Sequence, residues 1–94
     1  MKAKDKQKAL DADVLSQLST SAGRRLFWRI LTQAGLYSSS YAESPTATAY
    51  NEGRRSVALA LMVDAQRVCP ELYAVMIREQ LDALALEQQS PPQD

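Results

Sequence analysis

The stretch Tyr50–Cys69, YNEGRRSVALALMVDAQRVC, decides the fold of this chain. Its middle, residues 57–63, reads VALALMV, which is too short an apolar run to span a bilayer yet is apolar on every side of a helix. We therefore expect this segment to be the most buried helix. A chain of 94 residues can bury it only by packing other helices around it.

Three other segments have helical periodicity, at roughly Lys6–Leu18, Ala22–Ala34 and Pro70–Glu87. Helix-forming residues dominate the chain, and no stretch alternates like a strand. The predicted fold class is all-α, a small bundle of three to four helices around a central hydrophobic helix at about 45–68. The predicted organisation is a flexible basic N-terminus at 1–9, a helical domain at 10–88 and a disordered tail at 89–94.

Capping residues mark the predicted helix ends. Residues 19–21, STS, offer three successive N-caps for the second helix, and Gly35 ends it in the left-handed conformation that glycine tolerates. Ser44 and Pro45 give an N-cap and a first-turn proline for the third helix, while Pro70 ends that helix and begins the fourth. Gly53 allows a break inside the third helix.

Apolar stripes predict which sides of the outer helices are buried. The first helix presents Leu10, Val14 and Leu18 at spacings of four. The second helix presents Phe27, Ile30, Leu31 and Ala34. The fourth helix presents Tyr73, Met76, Ile77, Leu81 and Leu84.

The net charge is zero, but the charges are unevenly distributed. Residues 1–20 hold four lysines and three aspartates, residues 21–67 hold six arginines and three acids, and residues 68–94 hold one arginine and five acids. A mildly basic middle and an acidic end favour charge pairing within the molecule, or head-to-tail assembly of several molecules. They do not favour DNA binding, which usually needs a strong basic excess.

Composition also argues against catalysis. The chain has no histidine and a single cysteine, Cys69, so the usual His/Cys metal sites, His-based acid–base catalysis and an internal disulfide are excluded. No glycine-rich loop or carboxylate cluster has the spacing of a catalytic or metal site. We expect no enzyme, no cofactor and no bound metal. The basic N-terminus lacks the apolar core of a secretory signal, which predicts a protein made in the cytosol.

A repeated tripeptide is the main candidate for function. Gly23-Arg24-Arg25 and Gly53-Arg54-Arg55 lie thirty residues apart, each early in a predicted helix. The arginine pairs could bind phosphates or a partner's carboxylates, or they could pair within the chain. The candidate internal acids are Asp11, Asp13, Glu71, Glu79 and Asp82. If the second and third helices are antiparallel, the two tripeptides lie at opposite ends of the hairpin.

Aromatic residues near these arginines are candidates for an interface. Trp28 would be a good interface anchor if exposed, although a buried position is favoured. Tyr37 and Tyr41 either anchor their loop or meet a partner, with anchoring favoured. The predicted partner-binding set is Arg24, Arg25, Trp28, Arg29, Tyr41, Arg54 and Arg55.

The blocks GRRLFWRILTQAG and YNEGRRSVALALMVDAQRVCPELYAVMIRE, in this order, resemble a family of small proteins of short-tailed bacteriophages, encoded among head, portal and internal-virion genes. The resemblance covers roughly Gly23–Glu79. It implies a virion-associated or morphogenesis role, and the family has no catalytic residues to transfer.

We expect a small structural protein that binds a portal, capsid or ejection protein, first in the host cytoplasm and then in the virion. A homo-oligomer is also a candidate assembly. No membrane span is expected. Two alternatives stay open: a DNA-binding module that uses the paired arginines, and a phage regulator that does not enter the virion.

Overall fold

The computed structural model describes residues 2–89, which form four α-helices. Their bounds are α1 Ala3–Leu18, α2 Ser21–Gln33, α3 Pro45–Val68 and α4 Pro70–Gln89. Each helix contacts the other three, and the described part of the chain contains no strand. The molecule is flat, with extents of 59 × 38 × 17 Å. The prediction of a small all-α bundle is confirmed.

The predicted caps form the helix ends. The Thr20 hydroxyl accepts a hydrogen bond from the Gly23 amide at 3.0 Å, and the Ser44 hydroxyl accepts one from the Ala47 amide at 3.0 Å. Each bond satisfies one of the amides that a helix leaves unpaired at its start. Gly35 has a φ of 84°, which is the left-handed conformation predicted for it.

The start of α1, the continuity of α3 and the end of α4 differ from the sequence expectation. α1 begins at Ala3, so residues 3–9, predicted as a flexible segment, form two helical turns with exposed side chains. α3 runs through Gly53 without a break, because one glycine costs a long helix only about 1 kcal/mol relative to alanine. α4 includes Gln89, the first residue of the predicted tail, and residues 90–94 lie outside the described residues.

All four helices and the α2–α3 loop contribute to the core. The largest fully buried side chains are Leu18 of α1, Leu31 of α2 and Met76 of α4. Leu36, in the loop between α2 and α3, is also buried and fixes the loop to the bundle. The residues of this hydrophobic core are Leu18, Phe27, Leu31, Leu36, Ala58, Ala65, Cys69, Tyr73 and Met76.

The prediction that residues 57–63 are buried on every side is wrong. Val57 is 59% exposed and Val63 is 55% exposed, while the buried residues of α3 are Ala58 and Ala65. α3 packs on the other three helices through Ala58 and Ala65, with the half-buried Leu59, Leu61, Met62 and Val68 beside them. Three short neighbours cannot surround a 24-residue helix, so its opposite face stays in water.

The apolar stripes of the outer helices are also buried only in part. Ile30 of α2 and Leu10 of α1 are exposed, contrary to the predicted stripes. At a rise of 1.5 Å per residue, α4 is about 30 Å long and α2 is about 20 Å long, so α2 is too short to cover the whole of α4. The buried residues of α4, Tyr73 and Met76, lie in its first half, and residues 81–89 are all exposed. The predicted burial of Leu81 and Leu84 is therefore wrong.

Candidate interaction surfaces

The first tripeptide is built into the fold. The turn between α1 and α2 is so short that Gly23 lies against the end of α1, where a Cβ atom would stand 1.8 Å from the Gln17 carbonyl oxygen. Arg24 forms a two-pronged ion pair with Glu79 of α4, with Nη2 3.4 Å from Oε2, and its Nη1 donates to the Leu18 carbonyl at 2.9 Å. The Arg24 guanidinium lowers the pKa of Glu79. Arg24 therefore joins α1, α2 and α4.

The second tripeptide lies on the surface. Gly53 has open space where a Cβ would project. Arg54 donates from Nη1 to the Gln33 carbonyl at 3.0 Å and from Nη2 to Asn51 Oδ1 at 3.3 Å, and its Cζ lies 5.5 Å from the centre of the Tyr50 ring. Because Gln33 ends α2 and Gly23 lies in its first turn, the two tripeptides occupy opposite ends of α2, and no composite arginine site forms.

Four arginines of the predicted set make no ion pair within residues 2–89: Arg25, Arg29, Arg55 and also Arg54, whose guanidinium donates hydrogen bonds to Gln33 and Asn51. Arg25 and Arg29 lie on the exposed side of α2 and line a shallow groove with Ala22 and Leu26. We define the α2 outer face as these exposed residues together with the exposed Ile30: Ala22, Arg25, Leu26, Arg29 and Ile30.

An ion pair that the sequence did not single out joins α1 to α3. Arg67 donates to both carboxylate oxygens of Asp11, at 3.0 and 2.8 Å, and to Asp64 at 3.3 Å. These hydrogen bonds lower the pKa of Asp11 to about 2. Asp11 was among the candidate internal acids, but nothing in the sequence distinguished Arg67 from the other arginines, because its partner is 56 residues away.

Trp28 is half-buried and lies beside α4. Its ring packs at 5.5 Å and a tilt of 37° against Tyr37, whose hydroxyl lies 3.1 Å from the hydroxyl of the buried Tyr73. Tyr37 thus anchors its loop, as favoured, whereas Tyr41 is 80% exposed. Trp28 also lines an open groove of about 280 Å³, here called the Trp28 groove. The groove is lined by Trp28, Ile77, Gln80, Leu81, Ala83, Leu84 and Glu87.

A second groove runs along the other side of α4. It has a volume of about 590 Å³ and shares Ile77 and Leu81 with the Trp28 groove, so these two residues form a ridge between the grooves. We call it the Val75 groove. It is lined by Ala74, Val75, Ile77, Arg78, Leu81 and Asp82.

A family model described as Bbp19-like phage protein matches residues 13–78, which is 66 of the 94 residues. The chain belongs to this phage protein family. The matched part contains both tripeptides and Trp28, and it ends at Arg78, before the exposed residues 81–89 of α4. No curated protein and no solved structure matches the chain. The expected phage origin is confirmed, and the short-tailed type and the virion genes remain predictions.

Within residues 2–89 no three His, Cys, Asp or Glu side chains come together as a metal site. Cys69 is buried at the α3–α4 junction, and burial raises the pKa of its thiol, which keeps it protonated at neutral pH. Across the same residues, no helix is both long and apolar enough to cross a membrane.

Proposed function

We propose that this phage protein is a virion-associated structural component that binds a larger virion protein, such as the portal, an inner capsid protein or an ejection protein, and that it acts without catalysis. The observation that carries the proposal is the exposed apolar surface of α4. It would bind its partner in the host cytoplasm during assembly and remain in the finished particle.

The Val75 groove is the surface that we assign to this larger partner. Val75 and Leu81 are exposed and apolar, and Arg78 and Asp82 are the charged residues of the lining. An apolar centre with a polar rim is the usual composition of a protein–protein interface. Exposed apolar patches on small soluble domains often mark such contacts. Membership of a phage protein family supports a partner among the proteins of the same phage.

Mass spectrometry of purified particles of the encoding phage tests the location. We expect the chain in mature particles at a fixed ratio to the portal or capsid protein. Its presence in infected cells but absence from particles would contradict the proposal and would favour the non-virion regulator instead.

Binding to separately purified portal, capsid and ejection proteins tests the surface. We expect one of them to retain the wild-type chain and to lose at least about tenfold in affinity for Val75→Asp, since a charge would be placed in an apolar contact. Leu15→Asp on α1 is the matched control, because Leu15 is 44% exposed and Val75 is 40% exposed. An equal loss for both variants would argue against the Val75 groove.

DNA binding is the competing function, and it is favoured by the exposed, unpaired Arg25 and Arg29. The paired Arg24 and the surface Arg54 already have partners in the chain. A binder that neutralises several phosphates loses affinity steeply as salt rises. Fluorescence anisotropy with duplex DNA at low salt decides the matter: binding that falls with salt and is abolished by Arg25→Ala with Arg29→Ala would favour this alternative.

A further inference from the structure

We propose that the Trp28 groove of one chain binds the α2 outer face of a second copy, so that the protein assembles head to tail. This goes beyond the proposed function, because the contact needs no other virion protein. It leaves Ala74, Val75, Arg78 and Asp82 of the Val75 groove available for a larger partner.

The Trp28 groove is apolar with an uncompensated negative charge. Trp28, Ile77, Leu81 and Leu84 supply its apolar lining, and Glu87 is its one charged residue. Glu87 makes no ion pair in the described part of the chain. An occupant that fits this groove therefore needs apolar side chains to cover the lining and a cation to meet the carboxylate.

The α2 outer face has this complementary composition. Ala22, Leu26 and Ile30 recur at spacings of four and form an apolar ridge, on which Leu26 and Ile30 are exposed. Arg25 and Arg29, also four residues apart, lie along one side of the ridge without an ion pair in residues 2–89. A guanidinium can bind a carboxylate with two hydrogen bonds and can also stack on an indole ring.

The two surfaces are separate grooves of one molecule. The groove that contains Arg25, Leu26 and Arg29 shares no residue with the Trp28 groove. Trp28 lies on the side of α2 that faces α4 and lines only the Trp28 groove of these two. A second copy of the chain offers each surface its complement. Such a contact uses different faces of the two copies, and it builds a ring or a filament instead of stopping at a dimer.

Analytical ultracentrifugation of the purified full chain tests the contact. At low ionic strength we expect the mass to rise with concentration beyond that of a dimer. Arg29→Glu and Glu87→Arg should each weaken the association at least about tenfold, because each places like charges opposite one another. Arg78→Glu is the matched control, since Arg78 is exposed but lines the Val75 groove, and it should not weaken the association.

Mixing the two charge variants gives a sharper result. The Arg29→Glu chain keeps an unaltered Trp28 groove, and the Glu87→Arg chain keeps an unaltered α2 outer face. An equimolar mixture should therefore associate although neither variant does so alone. Circular dichroism checks that both variants fold. A monomeric wild-type chain at all concentrations, or a mixture that stays monomeric, would overturn the proposal.

Disulfide trapping tests the same contact without changing charges. We expect Leu26→Cys mixed with Leu84→Cys to give a cross-linked pair of unlike chains, while wild type, whose Cys69 is buried, gives none. Cross-linking of Leu84→Cys mainly to itself would contradict the head-to-tail contact. A monomeric chain would leave the virion proposal standing, and absence from particles would leave self-association standing, so the two failures are distinguishable.

Discussion

The two Gly-Arg-Arg tripeptides have the same sequence and opposite structural roles. Gly23 is buried where α2 meets the end of α1, and Arg24 links three helices. Gly53 faces open space, and Arg54 bonds to the end of α2 on the surface. The structural role of a tripeptide in a helix is therefore not fixed by its own sequence, because it depends on what the rest of the chain packs against it.

The glycine at the helix corner provides the largest contrast. Gly23→Ala should destabilise the protein by at least about 2 kcal/mol, since the new methyl group would meet the Gln17 carbonyl, a backbone atom that cannot turn aside. For a domain of this size, such a loss lowers the Tm by about 8 °C or more. Urea unfolding followed by circular dichroism measures it, and an unchanged midpoint would contradict the close packing of Gly23 against the end of α1.

The first arginine of the buried tripeptide should contribute more to the stability of the fold than the first arginine of the exposed one. Arg24→Ala is expected to cost about 1.5–2 kcal/mol, because it removes hydrogen bonds to Glu79 and Leu18 and leaves a half-buried carboxylate without its cation. Arg54→Ala should cost less than about 0.5 kcal/mol, since it is exposed. Equal losses in urea unfolding would contradict the structural difference between the two arginines.

The glycine of the second tripeptide should respond with the opposite sign to the first. Gly53→Ala should stabilise the protein by about 0.5–1 kcal/mol, because alanine restricts the unfolded chain and its methyl group meets nothing in the helix. Thermal unfolding of this variant beside Gly23→Ala checks both signs in one experiment. A loss of stability for Gly53→Ala would mean that α3 bends there.

Lowering the pH should also distinguish the two tripeptides, by a smaller effect on the stability of the fold. Arg24 lowers the pKa of Glu79 below its ordinary value of 4.5, so this pair stabilises the fold above about pH 5 and the contribution is lost as the pH falls through 4.5 and below. Arg24→Ala should therefore reduce the loss of stability over this range. Arg54 pairs with no acid in the described residues, and Arg54→Ala should leave the pH profile unchanged.

Much of the fold followed from local sequence signals. Thr20, Ser44 and Gly35 act on residues within one helical turn of themselves, so their roles are independent of the tertiary packing. The bounds of α3 and the start of α4 followed for the same reason. Burial was less predictable. Residues 57–63 are apolar on every side of the helix, but the bundle has too few neighbouring helices to cover every side.

The candidate surfaces followed from the sequence only in part. Trp28, Arg25 and Arg29, which are three of the seven predicted partner-binding residues, lie at an accessible surface, and their binding role stays a prediction. Leu84 and Glu87 were missing from the set, because a periodic apolar stripe on a helix does not reveal where the rest of the bundle ends. The Arg67–Asp11 pair was missed because its residues meet only through the packing of α1 on α3.

The sequence by itself determined four helices, their caps and an unequal distribution of charge, because each depends on propensities and patterns within a few residues. The tertiary structure decided which Gly-Arg-Arg lies in the core, which leucines of α4 remain in water, and which arginines keep an unpaired charge. Those outcomes depend on distances between residues tens of positions apart, and such distances are fixed only when the helices pack.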